Sequence, residues 1–291
     1  MFDTISKKAY AKINLFLKVS GARTDGYHDI ETVMQQISLY DNVMVTSLPT
    51  HEGDRRITIE CSEKSLPTDR TNIAYRCAAA FFDHFGINEY NIKIYIDKKI
   101  PIAAGLAGGS TDGAAVLELL NTVTKTNASL TELCNIGKKV GADIPFCLTG
   151  KTASAFGIGE IIKPIKIPSL PNYSILIIFP GDGVSTKEAY SLLDNHPSMS
   201  DYDISSVISE LERGEIPHSV CNSFESVILP IHKNARTAKE LLLSCGAKLA
   251  MMSGSGPSVF GLFDSPETLQ NAYELTKKRG FLAFICSPIF D

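Results

Sequence analysis

The chain has 291 residues, 44% hydrophobic and 21% charged, long enough for two cores and apolar enough to fold without staples. Its formal net charge of −4 argues against non-specific nucleic-acid binding, which needs a surplus of Lys and Arg, but leaves room for a local nucleotide pocket. Seven scattered cysteines, none spaced C-x-x-C, argue against a disulfide framework or a zinc site and suit a reducing cytosol.

The opening "MFDTISKKAYAKINLFLKV" is broken by Lys12 and Lys18 and has no small-residue cleavage site, so no signal peptide is expected. No apolar run approaches the roughly 18 residues of a membrane helix. A cytoplasmic protein without a membrane partner is expected. "AKINLFLKV" alternates and predicts a half-buried strand, with Ile13, Leu15, Leu17 and Val19 on one face and Lys12, Asn14, Phe16 and Lys18 on the wet one. A D-G turn in "RTDGYH" leads to a second extended stretch ending near Val45, and "RRITIECS" reads as a third strand. "TNIAYRCAAAFFDHFG" predicts a helix capped by Thr71 or Asn72 and stopped at Gly86. "NIKIYIDKKIP" is a strand with Ile92, Ile94 and Ile96 on its dry face.

"STDGAAVLELLN" predicts a helix with Ser110, Thr111 and Asp112 as cap candidates. "SLTELCNIGKKVG" predicts another, with Ser129 and Glu132 at capping-box spacing and Gly141 as its stop. "KTASAFGIGEIIKPIKI" reads as a hairpin turning at Gly157 and Gly159. Beyond the Pro-rich "PSLPNYS" come a strand at "SILIIFP", helices at "TKEAYSLL", "DISSVISELERG" and "KNARTAKELLLSCGA", a strand–turn–strand at "LAMMSGSGPSVFGLF", a helix at "SPETLQNAYELTKKRG" and a strand at "FLAFICSPI". Two domains are expected, residues 1–160 and 161–291. Strands with wet faces alternating with helices predict an α+β class, not a doubly wound parallel sheet.

Four short motifs are candidates for chemistry. "PIAAGLAGGSTDGAA", residues 101–115, is neither a Walker A loop, since no lysine follows Gly109, nor a G-x-G-x-x-G loop. A strand, a glycine turn and a helix start remain, which is the physical recipe for an anion site; a close-packed turn without ligand has the same composition. "GADIPF" holds Asp143 in a stiff connection, with Pro145 expected to keep Ile144 extended; a turn residue or a catalytic carboxylate would both look so. "SGSGPS", Ser253 to Ser258, reads as a tight turn between strands, and "DGYH" sets Tyr27 and His28 just past a turn.

Taken in order and spacing, "AKINLFLKV", "RTDGYH", "IPIAAGLAGGSTDGAA", "GADIPF" and "MMSGSGPSVFGLF" resemble the GHMP kinase superfamily, from about Ala11 to about Phe263. The resemblance implies an N-terminal domain like domain 2 of ribosomal protein S5, a ferredoxin-like C-terminal domain and an active site in the cleft between them. "DGYH" and "GADIPF" look most like the branch that phosphorylates a cytidine diphosphate-linked methylerythritol at its C2 hydroxyl, with ATP and Mg²⁺, in the non-mevalonate isoprenoid pathway.

By that resemblance Pro101, Ile102, Ala103, Ala104, Gly105, Leu106, Ala107, Gly108, Gly109, Ser110 and Thr111 wrap the triphosphate, and Asn72 lines the adenine pocket. Asp143 matches the catalytic base and Lys12 the catalytic lysine. Tyr27 and Tyr190 match a cytosine sandwich, His28 a reader of the base edge, Thr186 a nearby polar contact, and Asn14 a holder of substrate. No side chain stands out as a Mg²⁺ ligand. Thr111 and Gly113 stand where Ser and Ala are usual, and Ile158 where many members carry a charge. A kinase for another small alcohol, such as mevalonate or homoserine, or a non-catalytic sensor of the same fold, are the competing expectations; a nucleic-acid partner is not expected. The oligomeric state is not legible.

Overall fold

The computed structural model describes residues 4–167, 173–195 and 202–290, so most of the Pro-rich break lies outside the described residues. The chain divides into two compact units, each assembled from separate segments. One comprises Met1–Ala11, Tyr40–Ile100 and Ala107–Thr149; the other comprises Lys12–Leu39, Pro101–Leu106 and Gly150–Asp291. Two long strands, β1 (Thr4–Ala22) and β2 (His28–Ser47), pair with each other and contribute residues to both.

In the first unit, β3 (Arg55–Cys61) and β4 (Tyr90–Asp97) are parallel and joined by helix α1 (Ile73–Phe85). The later half of β2 runs antiparallel to β4, with Asn42 opposite Asp97. Ile92, Ile94 and Ile96 are buried, as their alternation requires. Asn72 caps α1 by accepting from Ala74 N, and Gly86 ends it in the left-handed region at φ 63°. Helices α2 (Gly108–Val123), α3 (Leu130–Gly137) and α4 (Ile144–Thr149) complete the unit. The Ser129–Glu132 capping box is formed on α3. That helix ends at Gly137 and turns through Lys138–Val140, so Gly141 is not its stop. Gly113 lets α2 approach α1 closely: a Cβ there would lie 2.7 Å from Cys77 Sγ. The thiol it meets is inert, since burial pushes Cys77 up to about 12.

In the second unit, β5 (Thr152–Phe156) pairs with the first half of β2 and with β6 (Ile161–Pro164) in the expected hairpin, whose turn holds Gly157 and Gly159 at positive φ. A separate antiparallel sheet contains β7 (Ser174–Phe179), β8 (Leu249–Met252), β9 (Val259–Phe263) and β10 (Leu282–Cys286) in the order β10-β7-β9-β8. Helix α8 (Lys233–Ser244) joins β7 to β8 after α5 (Thr186–Asn195), α6 (Ile204–Glu212) and α7 (Glu225–Ile228); α9 (Pro266–Lys278) joins β9 to β10. With those three helices as an insertion, this is the β-α-β-β-α-β ferredoxin-like arrangement. Leu176, Ile178, Val259 and Phe263 from the sheet pack with Ala238, Leu242 and Leu269 from α8 and α9. Each of these side chains other than Ala238, fully buried, contributes about 1.5–3 kcal/mol.

The expected wet face of β1 is absent. Residues Ala11 through Leu17 are buried on both sides of the strand, Lys12 and Asn14 included. Alternation recorded the pleat of this strand but not what covers its second face.

Candidate active site

Burying an ammonium costs several kcal/mol unless hydrogen bonds replace its water. Lys12 is only 5% exposed, and Lys12 Nζ donates to Asn14 Oδ1 at 2.8 Å. The chain of bonds continues from Asn14 Nδ2 to Thr32 Oγ1 at 2.8 Å and from Thr32 Oγ1 to the Phe16 carbonyl at 2.6 Å. Two residues apart on one strand, Lys12 and Asn14 share a face, and Thr32 on β2 orients the pair. The lysine is therefore held in one place.

The segment 101–106 lies in the same unit as Lys12. It curls through left-handed positions at Ala103 (φ 51°) and Gly105 (φ 76°). Lys12 N donates to Leu106 O, Ser253 Oγ to Gly105 O at 3.0 Å, and Ser258 N to Ala104 O. Gly105 must be glycine twice over, by its φ and because a Cβ would sit 2.1 Å from the Ser253 carbonyl. The "SGSGPS" turn is thus the clamp of the first glycine loop. Gly254, at φ 56°, also brings backbone close to the lysine: a Cβ there would be 3.4 Å from Lys12 Nζ. Asn222 holds the clamp, donating from Nδ2 to Met252 O at 2.7 Å and to Gly254 O at 2.9 Å.

The rest of the loop starts α2 in the first unit. None of Ser110, Thr111 and Asp112 caps it. The cap is Ala107 at φ 58°, with no side-chain cap bond, because the predicted caps lie inside the helix and two are engaged elsewhere. Thr111 donates to Tyr10 O at 2.7 Å, and Asp112 accepts from Lys98 at 2.7 Å. An uncapped helix start built from Gly108, exposed Gly109 and half-buried Ser110 leaves first-turn N–H groups for an anion, so these residues fit a phosphate.

Lys98 lies behind that turn. A Cβ on Gly108 would be 2.8 Å from its Nζ. Its ammonium bonds both Asp41 and Asp112, and Asp41 Oδ1 accepts from the Lys99 and Ile100 amides. Burial would lower the Lys98 pKa, but the two carboxylates outweigh it and hold it raised. Asp112 is pushed up to about 8, by burial first and by Asp41 second, against the pull of Lys98.

Asp143 is half-buried and joins Gly141 to α4, its carbonyl accepting from Cys147 N at 3.0 Å. Ile144 is not extended: it begins α4, and Pro145 sits in the first turn, where a missing N–H breaks no helical bond. A Cβ on Gly141 would stand 3.8 Å from Ser110 Oγ, so the connection carrying Asp143 passes beside the α2 start. Asn72 is only 8% exposed and both ends of its amide are engaged, Oδ1 by Ala74 N and Nδ2 by the Pro67 carbonyl at 2.7 Å.

The aromatic group belongs to the second unit. Tyr27 is 58% exposed after a turn in which Asp25 accepts from its amide. Tyr190 stacks on His28, centroids 4.6 Å apart at 26°, and meets Phe224 edge-on at 4.9 Å. Thr186 lies 3.1 Å from Ser255 Oγ in the glycine clamp. Sequence reasoning missed Asn222, Lys98, Asp41 and Asp194, the last bonding His28 Nε2 at 2.6 Å. Only Asp194 left a local trace, standing eight and four residues after Thr186 and Tyr190 on one helix. A separate cavity of about 430 Å³, near Gly183, Leu192, Ile228 and His232, is lined by none of the expected site residues.

Among the described residues no group of three or more His, Cys, Asp or Glu could hold a metal ion, and no helix is long and apolar enough to cross a membrane. Residues 72–151 match the GHMP kinases N terminal domain and residues 209–278 the GHMP kinases C terminal domain. The chain is 42% identical over 273 residues to a Clostridium perfringens protein named 4-diphosphocytidyl-2-C-methyl-D-erythritol kinase, covering 93% of this chain and 92% of that one. A Clostridium botulinum protein of the same name is 41% identical, with 97% and 99% covered. A crystal structure of 4-(cytidine 5'-diphospho)-2C-methyl-D-erythritol kinase superposes with a TM-score of 0.81 at 30% identity, over 98% of this chain and 99% of that one.

Proposed function

This chain belongs to the GHMP kinases, small-molecule phosphotransferases, and from that premise we propose that it phosphorylates the C2 hydroxyl of 4-diphosphocytidyl-2-C-methyl-D-erythritol. The observation that carries the substrate is the near full-length similarity, above 40% identity, to proteins named for that activity. ATP would supply the phosphoryl group, and Mg²⁺ would offset the charge of its phosphates, a role that needs few protein ligands.

The residues divide the work as follows. Amides of Gly108, Gly109 and Ser110 bind phosphate oxygens at the start of α2, where the helix dipole favours negative charge. Asp143 accepts the proton leaving the attacking hydroxyl. Lys12 offsets negative charge on the group in transfer, and its bond to Asn14 spares the reorganisation that a mobile lysine would need. Tyr27 and Tyr190 hold the cytosine ring, His28 meets its edge, and Thr186 makes a polar contact near the base.

The test is ADP release with Mg-ATP and, in turn, the cytidyl compound, mevalonate and homoserine, beside Asp143→Asn. Turnover confined to the cytidyl compound and lost in the variant is expected. Turnover of mevalonate or homoserine instead would overturn the substrate, and full activity in Asp143→Asn would overturn the base.

A further inference from the structure

Helix α5 carries Thr186, Tyr190 and Asp194 at intervals of four, so the three lie along one face. Two of them grip the same imidazole. Tyr190 stacks on the His28 ring, and Asp194 Oδ1 lies 2.6 Å from His28 Nε2. The grip leaves the His28 side chain 9% exposed, while the carboxylate that orients it is 48% exposed. A carboxylate only accepts, so the hydrogen sits on Nε2. In the neutral ring the other nitrogen, Nδ1, is then the acceptor. Among the described residues Nδ1 has no hydrogen-bond partner.

We propose that Asp194 is a positioning residue for base discrimination: by fixing the Nε2–H tautomer of His28 it presents Nδ1 as an acceptor for the exocyclic amine of cytosine. The inference rests on the cytidyl reading above and deepens it. Cytosine carries a donor at position 4, and uracil carries a carbonyl acceptor there. An acceptor fixed by Asp194 meets the first with a hydrogen bond and the second with two opposed lone pairs. A histidine free to exchange tautomers would turn its N–H toward the carbonyl and tolerate both bases. Specificity of this kind comes from leaving the wrong partner's polar group unmatched. Asp194 needs no contact with the ligand for this, because it works through the imidazole.

The experiment compares cytidine and uridine diphosphates by calorimetry, and the two matching methylerythritol compounds by kcat/KM, in the unaltered protein, Asp194→Ala and Asp194→Asn. Thermal unfolding monitors folding in each. The unaltered protein is expected to favour cytosine, and Asp194→Ala to lose about tenfold or more of that preference, through KM and through binding. Asp194→Asn keeps an oxygen that accepts from Nε2–H and is expected to retain most of it. Equal weakening of cytidine and uridine ligands in Asp194→Ala, the mark of a merely structural role, overturns the inference, as does an unchanged ratio. A folded, unaltered protein without cytidyl turnover overturns the functional reading and this inference together.

Discussion

Lys98 Nζ lies 2.7 Å from Asp112 Oδ2, with the two side chains 5% and 4% exposed, behind the glycine turn that starts α2. The other Asp112 oxygen is buried without a hydrogen-bond partner among the described residues. One ammonium thus serves two buried carboxyl groups, Asp41 and Asp112, and Asp112 holds its proton to about 8. In the unfolded chain an Asp loses that proton near pH 4. Between those values folding takes up a proton, so this group's contribution falls as pH rises and is level below the window. Asp112→Asn keeps an oxygen for Lys98 and does not titrate. Its stability relative to the unaltered protein is expected to improve from about pH 5 to about pH 8, read from urea midpoints at each. A difference that stays constant with pH would refute the assignment.

Gly105 and Gly26 separate two reasons for a glycine. Both have positive φ, 76° and 82°, but a Cβ at Gly26 would meet nothing within 4 Å, whereas at Gly105 it would strike the Ser253 backbone. Gly26→Ala is expected to cost about 1 kcal/mol from the left-handed backbone alone. Gly105→Ala is expected to cost about 1–3 kcal/mol beyond that, a further fall of several degrees in Tm. Equal melting temperatures for the two variants would remove the close approach from the account.

Asn222 satisfies three main-chain groups, the carbonyls of Met252 and Gly254 and the amide of Phe224. Asn222→Ala is expected to destabilise by about 2–4 kcal/mol, because buried partners are left unmatched. Asn222→Asp keeps the acceptor and loses both donors, and is expected to suffer nearly as much. A loss below about 0.5 kcal/mol by urea unfolding in the alanine variant would show that the clamp holds without it.

For the chemical step, Asp143→Asn is expected to lower kcat by about 10²–10⁴. Lys12→Met is expected to lower it by a similar factor, and Asn14→Ala by less. Because Asn14 bonds Lys12 directly, the Lys12→Met, Asn14→Ala double variant is expected to be no slower than Lys12→Met alone. Additive losses in single-turnover rates would mean that Asn14 acts on the reaction independently of Lys12.

Much of the fold was legible because its signals are local. Ile92, Ile94 and Ile96 announce a strand by period, Asn72 and Gly86 bracket α1, and Ser129 with Glu132 writes its own cap. The α2 cap was misread for the opposite reason. Thr111 and Asp112 are good cap residues in isolation, but Tyr10 and Lys98, distant in sequence, claim their side chains. Pro145 misled in the same way, since Pro keeps its predecessor extended in a free chain but is tolerated in the first turn of a helix.

By itself the sequence determined the order of the elements apart from the short helices α4 and α7, the glycine turns, the class and the motif set that marks a small-molecule kinase, because backbone preference and side-chain period act over a few residues. Tertiary structure alone decided that Lys12 and Asn14 are buried, that Asn222 clamps the glycine turn, that Lys98 serves Asp41 and Asp112, and that Asp194 meets His28. His28 and Asp194 stand 166 positions apart in the chain. A hydrogen bond depends on distance in space, and over such a separation only the folded backbone sets that distance.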